Sequence, residues 1–258
     1  MGLASYGNPK YKDLIYKHLI HVKKDGSFRL NQKYFNYASG LTMINDNFEK
    51  LFVNKKRSEE EAITQFHMDI ASSIQEVIED IILLICKDAH KTYKLKNLCL
   101  AGGVALNCVV NGKIKESNIF DNIWIQPAAG DAGGSIGAAL ALWHIYLKNP
   151  FIKYQGRDRM KGSFLGPKYE SHEIEAELLK SGAKFRNYSQ NDLIKKVASE
   201  IANGKVIGWF QGRTEFGPRA LGCRSILADP RSPTMQRKLN LKIKFRESFR
   251  PFAPAILR

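Results

Sequence analysis

Leu98-Cys-Leu-Ala-Gly-Gly-Val-Ala-Leu-Asn107 is a short apolar strand closed by Ala101-Gly102-Gly103 and continued by helix-forming residues to about Ile114. The pattern recurs at once. Ile123-Trp124-Ile125 forms a second strand, followed by Pro127-Ala-Ala-Gly-Asp-Ala-Gly-Gly134 and an Ala-rich helix to about Tyr146. Two strands that each empty through glycines into a helix predict an α/β layer. Each turn also leaves backbone N–H groups without partners at a helix start, where the macrodipole favours phosphate. Gly102, Gly103, Asn107 and Gly130 are therefore candidate nucleotide contacts, although a tight turn with a capping Asn107 accounts for the same residues. Asp131 can ligate a metal that bridges nucleotide phosphates or serve as a helix N-cap.

Outward from this pair, Met1-Gly-Leu-Ala-Ser-Tyr-Gly-Asn-Pro9 reads as a turn before a helix near Lys10 to Val22, and the chain reads as beginning mid-domain. From about Ser58 to Tyr93, Phe66, Ile70, Ile74, Val77, Ile81 and Leu84 recur at helical spacing, so this long helix packs one face on a core. Glu59, Glu60 and Glu61 fall in its expected first turn. Residues 151–167, with Gly-Arg-Asp-Arg and Gly-Pro, read as a connection between two parts. Helices near Ser171–Lys180 and Asn191–Ala202 then lead to a strand at Val206–Phe210. Met235 to Lys244 reads as helical or extended.

After that strand comes Gln211-Gly-Arg-Thr-Glu-Phe-Gly-Pro-Arg-Ala-Leu-Gly-Cys-Arg-Ser225, three arginines among Gly and Pro breakers. Charge follows the same division. Residues 1–150 carry 18 Lys+Arg against 15 Asp+Glu, whereas residues 151–258 carry 22 against 10. Within 211–258, 8 of the 11 basic residues are Arg, although the chain has only 13 Arg. Planar forked donors in that proportion point to geometric recognition of an oxyanion rather than to solubility. Arg213, Arg219, Arg224, Lys244, Arg246 and Arg250 are the candidate set. Phe216, Phe245, Phe249 and Phe252 flank it without an RNA-stacking signature and are expected to fill the core.

Composition excludes other classes. With 44% apolar and 25% charged residues, disorder is not expected. The longest aliphatic run, Ile81 to Cys86, is far short of the roughly 18 residues of a spanning helix, and no charged-then-apolar leader opens the chain, so a cytoplasmic protein without membrane contact is expected. Cys86, Cys99, Cys108 and Cys223 form no C-x-x-C pair and sit in apolar stretches, which predicts reduced, buried thiols, without disulfide or zinc knuckle. His18 and His21, read on one helix face, are expected to be solvated rather than chelating.

Met1-Gly-Leu-Ala-Ser-Tyr-Gly7, Ala101-Gly-Gly-Val-Ala-Leu-Asn107, Pro127-Ala-Ala-Gly-Asp-Ala-Gly-Gly-Ser-Ile-Gly-Ala138, Arg213 to Arg231 and Ile243-Lys-Phe-Arg-Glu-Ser-Phe-Arg-Pro-Phe-Ala-Pro254 together resemble the NodU/CmcH carbamoyltransferase family. The resemblance implies the second half of an actin-like ATPase domain over residues 1–150, the connection 151–167, and a truncated YrdC-like α/β domain over 168–258. It implies that ATP and carbamoyl phosphate give carbamoyl adenylate, whose carbamoyl group passes to a hydroxyl of a small-molecule or sugar acceptor. Gly102, Gly103 and Asn107 match the family's nucleotide turn, and Asp131 matches a metal ligand, with iron(II) as the metal and magnesium accompanying ATP. Arg213, Arg219, Arg224, Lys244 and Arg246 match the basic positions of the second domain.

The family's remaining metal ligands are histidines upstream of the Met-Gly-Leu-Ala motif, where this chain begins. An internal fragment that transfers little or no carbamoyl group in isolation is therefore expected, and a homodimer stays open as the assembly. Two other readings remain: a protein of tRNA threonylcarbamoyladenosine synthesis, and a basic nucleic-acid-binding module, the latter disfavoured by the thin aromatic interleaving.

Overall fold

The computed structural model describes residues 1–58, 60–152 and 158–256. Glu59 and residues 153–157 of the expected connection lie outside the described residues. The chain is mixed α/β and divides by contact into two units, Met1–Cys99 with Asn107–Trp124, and Leu100–Leu106 with Ile125 onward.

The first unit is organised by α3, Gln65–Tyr93. Its stripe Phe66, Ile70, Val77 and Ile81 meets Ile15 of α1 (Lys12–His18), Leu19 that caps that helix, Ile20 of β1 (Ile20–Val22), Tyr34, and Phe52 of α2 (Asp46–Phe52). Each such aliphatic burial stabilises by about 1.5–3 kcal/mol. The helix starts later than its apolar spacing predicts because Thr64 is the cap: its backbone N–H donates to His67 Nδ1 at 3.0 Å, so Glu60 and Glu61 precede the helix. The expected helix from Lys10 to Val22 also stops early. It ends at His18, and Ile20–Val22 pairs antiparallel with β2, Phe28–Leu30, around the Asp25-Gly26 turn. His18 and His21 therefore do not share a helix.

Polar groups inside this unit are paired. Asp69, 2% exposed, accepts from Asn8 N, Gln65 Nε2 and Lys10 Nζ, each at 2.8 Å, and the first of these bonds leads in holding its carboxyl down at about 2.

β3 (Asn97–Leu100) pairs with β4 (Asn122–Ile125), and α4 (Cys108–Glu116) lies between them in sequence. Asn122 N donates to Lys96 O and Gln126 N to Leu100 O, the same offset at both ends, so the strands run parallel as a βαβ unit requires. β3 alternates exposed and half-buried residues, which turns Cys99 outward. Cys108 is exposed and Cys223 half-buried. Only Cys86 is a buried thiol, which corrects the expectation for the other three.

In the second unit α5 (Asp131–Ala141) runs into a π-turn at Leu142–Tyr146. α6 (Ser171–Lys180) and α7 (Gln190–Ala202) follow, where their amphipathic spacing places them. β5 (Ile207–Phe210) pairs antiparallel with β6 (Arg224–Leu227), matching Trp209 with Ser225 and Phe210 with Arg224. The arginine-rich stretch is therefore the loop of a hairpin. α8 (Met235–Lys242) buries Met235, Leu239 and Asn240. No helix among the described residues is long and apolar enough to cross a membrane.

Candidate functional site

Three glycine turns meet in the second unit. Gly102, at φ +96°, donates its N–H to Ala129 O at 2.7 Å, tying the first Gly-rich turn to the Pro127–Gly130 turn. Gly217, at φ +125°, lies against that same turn: a Cβ on it would stand 3.3 Å from Ala128 Cβ and 3.4 Å from Pro127 O. Ala128 itself is fully buried. Around Gly102, Gly103 and Gly130, by contrast, an added Cβ would meet nothing within 4 Å, so these backbones face open space that a ligand can approach.

Gly130 is the N-cap of α5 and makes no side-chain capping bond; Asp131 is the first helical residue, so the N-cap reading of Asp131 is corrected. Its exposed carboxylate has no hydrogen-bond partner among the described residues. Nor do three His, Cys, Asp or Glu residues among them cluster as a metal site. One carboxylate does not make a metal centre.

Asn107, in the first unit, acts as the cap of α4. Its Oδ1 accepts from Val110 N at 3.3 Å, and its amide exchanges hydrogen bonds with Gln75, whose Nε2 donates to the buried Glu79 at 2.8 Å. Lys113 Nζ pairs with Glu79's other oxygen.

The arginine turn is held from several sides. Thr214 N donates to Pro167 O, Gly166 N to Thr214 O, and Phe216 N to Ser163 O at 2.7 Å, so the end of the expected connection runs beside the turn as scaffold. Arg213 Nη1 donates to Gly166 O at 2.9 Å. The Arg224 guanidinium donates to Gln211 O, Cys223 O and Gly212 O and lies 3.4 Å over the Phe210 ring. Arg219 is exposed and has no partner among the described residues. Arg246 donates to Asn240 Oδ1 at 2.7 Å and sits over Phe252, Lys244 is exposed, and Arg250 pairs with Glu247. Phe245 is 84% exposed, which overturns its assignment to the core.

Among the six predicted cations, then, only Arg250 has a carboxylate partner among the described residues. Glu215, inside the turn, does not offer one: its Oε1 accepts from three backbone N–H groups, those of Leu221 (2.9 Å), Cys223 (2.7 Å) and Arg224 (3.2 Å). Burial works against its charge, yet those donors outweigh it and hold the carboxyl down at about 2. Sequence reasoning passed over Glu215, and the only signal for it was a lone acid among arginines. Two buried polar atoms, Gln126 Oε1 and Ser163 Oγ, also lack a partner among the described residues; one precedes Pro127 and the other belongs to the residue that receives Phe216 N. A groove of about 510 Å³ on the first unit, lined by Lys23, Lys24, Lys87 and Lys91 with Asp25, Asp88 and Leu84, contains none of the predicted site residues.

Two family models match the chain, one described as Carbamoyltransferase N-terminus over residues 1–140 and one as Carbamoyltransferase C-terminus over residues 198–258. An uncharacterised protein of Synechocystis is 57% identical across the whole chain, which covers 42% of that protein. Nodulation protein NolNO of Sinorhizobium fredii and nodulation protein NolO of Bradyrhizobium diazoefficiens are each 38% identical across the whole chain, which covers 36% and 44% of them. The chain thus spans about two fifths of the length of these relatives.

Proposed function

The chain belongs to the carbamoyltransferase family, and we propose that it contributes the donor-binding part of an ATP-dependent carbamoyltransferase. In this reading water cleaves carbamoyl phosphate to carbamate and phosphate, the carbamate attacks the α-phosphate of ATP to give carbamoyl adenylate and pyrophosphate, and a hydroxyl of a small-molecule or sugar acceptor then takes the carbamoyl group as AMP leaves. Residues 1–150 would form half of an actin-like domain and residues 168–258 part of a YrdC-like domain.

The observation that carries the reading is the charge left over in the turn. Arg213, Arg219 and Arg224 stand on one hairpin loop, and the only acid of that loop is committed to backbone N–H groups. Guanidinium groups facing carbonyl oxygens keep their full positive charge, and a compact phosphate compensates it. Lys244 and Arg246 add cationic groups from the segment after α8. The open backbones of Gly102, Gly103 and Gly130 suit the approach of nucleotide phosphates, with magnesium accompanying ATP. Asp131 would supply one ligand to a divalent metal such as iron(II), a centre that the donors among the described residues do not complete.

Calorimetric titration of the purified chain tests this directly. Saturable binding of carbamoyl phosphate and of ATP, little changed between 50 and 200 mM salt, is expected. Absence of both, or tight binding of nucleic acid that collapses by about 10³-fold or more over that salt range, would replace it with the polyanion-binding reading.

A further inference from the structure

We propose that Glu215 is a positioning residue: it clasps the arginine turn shut and so sets where Arg219 and Arg224 meet the donor phosphate. The proposal rests on the reading of that turn as the carbamoyl phosphate site.

The turn leaves β5 at Phe210 and returns to β6 at Arg224. A loop of this length with glycines at positive φ at 212, 217 and 222 has no regular ladder of its own to fix it. Besides the bonds with Ser163, Gly166 and Pro167, contacts at its foot and on its two arms do so. At its foot, Gln211 N donates to Cys223 O at 2.9 Å, and Gln211 Nε2 to Gly222 O. On one arm Gly217 rests on Ala128. On the other, a single oxygen of Glu215 gathers the N–H groups of Leu221, Cys223 and Arg224.

Successive N–H groups pointing at one centre form the kind of concavity that binds anions. Here the chain fills it with its own carboxylate. The consequence is geometric: the outgoing arm at 215 and the returning arm at 221–224 are pinned together, and Pro218-Arg219-Ala220 is the only stretch left to span them. Arg219 is thereby presented at the tip. Arg224 takes its backbone position from the clasp through its own N–H, and its guanidinium then reaches Gln211 O and Gly212 O. Without an acceptor at 215, three donors lose their partner and the two arms separate. An ion pair between Glu215 and an arginine would instead have consumed one of the charges the site needs.

Two variants of the full chain test the clasp. Glu215→Ala removes the acceptor, while Glu215→Gln keeps a carbonyl oxygen at the same position and removes only the charge. In Glu215→Ala, hydrogen exchange at the Leu221, Cys223 and Arg224 amides is expected to accelerate, and carbamoyl phosphate to bind about tenfold more weakly. ATP affinity should stay within about threefold of wild type and the melting temperature should fall by only a few degrees, with Glu215→Gln recovering most of both losses. Unchanged exchange and affinity in Glu215→Ala overturn the proposal. So does an equal loss of both ligands with a collapse in melting temperature, which marks a merely structural residue. A wild-type chain that binds no carbamoyl phosphate refutes the reading of the site instead, and the exchange measurement still decides whether the clasp exists.

Discussion

Gly217 lies against Ala128, so the arginine turn rests on the turn that leads into Asp131. The two motifs, far apart in sequence, share one piece of backbone packing. With φ at +125° a side chain here is strained, and Ala128 Cβ, 3.3 Å from an added Cβ, would have to give way by a few tenths of an ångström. Gly217→Ala should destabilise the chain by about 1–3 kcal/mol. Denaturant melts check this; a midpoint equal to wild type would mean that the turn does not rest there.

How much of this was legible in the sequence depends on range. α6 and α7 lie where their spacing puts them, because an amphipathic helix between polar caps is a local property. The two strand–glycine–helix units were readable for the same reason. The start of α3 was not: a Thr64 cap completed by His67 is weaker as a pattern than the acidic run before it. Cys99 reads as buried from its apolar neighbours, yet the pleat turns it outward. Glu215 was least legible. Among three arginines an acid suggests an ion pair, and its choice of backbone N–H groups is made by loop closure.

α3 offers a direct comparison of core and surface. Ile81 is 4% exposed against Leu19 and Phe52's cluster, while Ile74 on the same helix is 41% exposed. Ile81→Ala should cost about 2–5 kcal/mol through lost burial and the cavity left behind. Ile74→Ala should cost no more than about 1 kcal/mol. Equal losses in urea unfolding would contradict the packing of the first unit.

Acid should weaken the first unit through Asp69. Its carboxyl is held at about 2 against an ordinary 3.8. The folded value is the lower one, so the bonds from Asn8, Gln65 and Lys10 contribute fully above the ordinary value and are lost as pH falls through 3.8 toward 2. Asp69→Asn should therefore flatten the pH dependence of stability in that window. The check is a set of unfolding curves from pH 5 to pH 2; parallel curves for variant and wild type would remove Asp69 from the account.

Arg224 should not tolerate lysine. Its planar fork reaches three carbonyl oxygens while lying on the Phe210 ring, a set of directions one ammonium cannot reproduce. Arg224→Lys is expected to lose carbamoyl phosphate affinity by about tenfold, nearly as much as Arg224→Ala. Full retention of affinity in the lysine variant would reduce Arg224 to a point charge.

Arg219 separates binding from folding most cleanly. It is exposed at the tip of the turn, and nothing among the described residues accepts from it, so its removal takes no intramolecular bond from the folded chain. Arg219→Ala should leave stability within about 0.5 kcal/mol of wild type. If the guanidinium is there for a phosphate, the same variant should weaken carbamoyl phosphate binding by about tenfold, since a charge-assisted hydrogen bond of about 1.5–3 kcal/mol is lost. Calorimetry beside a thermal melt reads both quantities on one sample. Wild-type affinity in Arg219→Ala would place the phosphate elsewhere on the cationic set, on Arg213, Lys244 or Arg246, and would leave Glu215 presenting an arginine that the donor does not use.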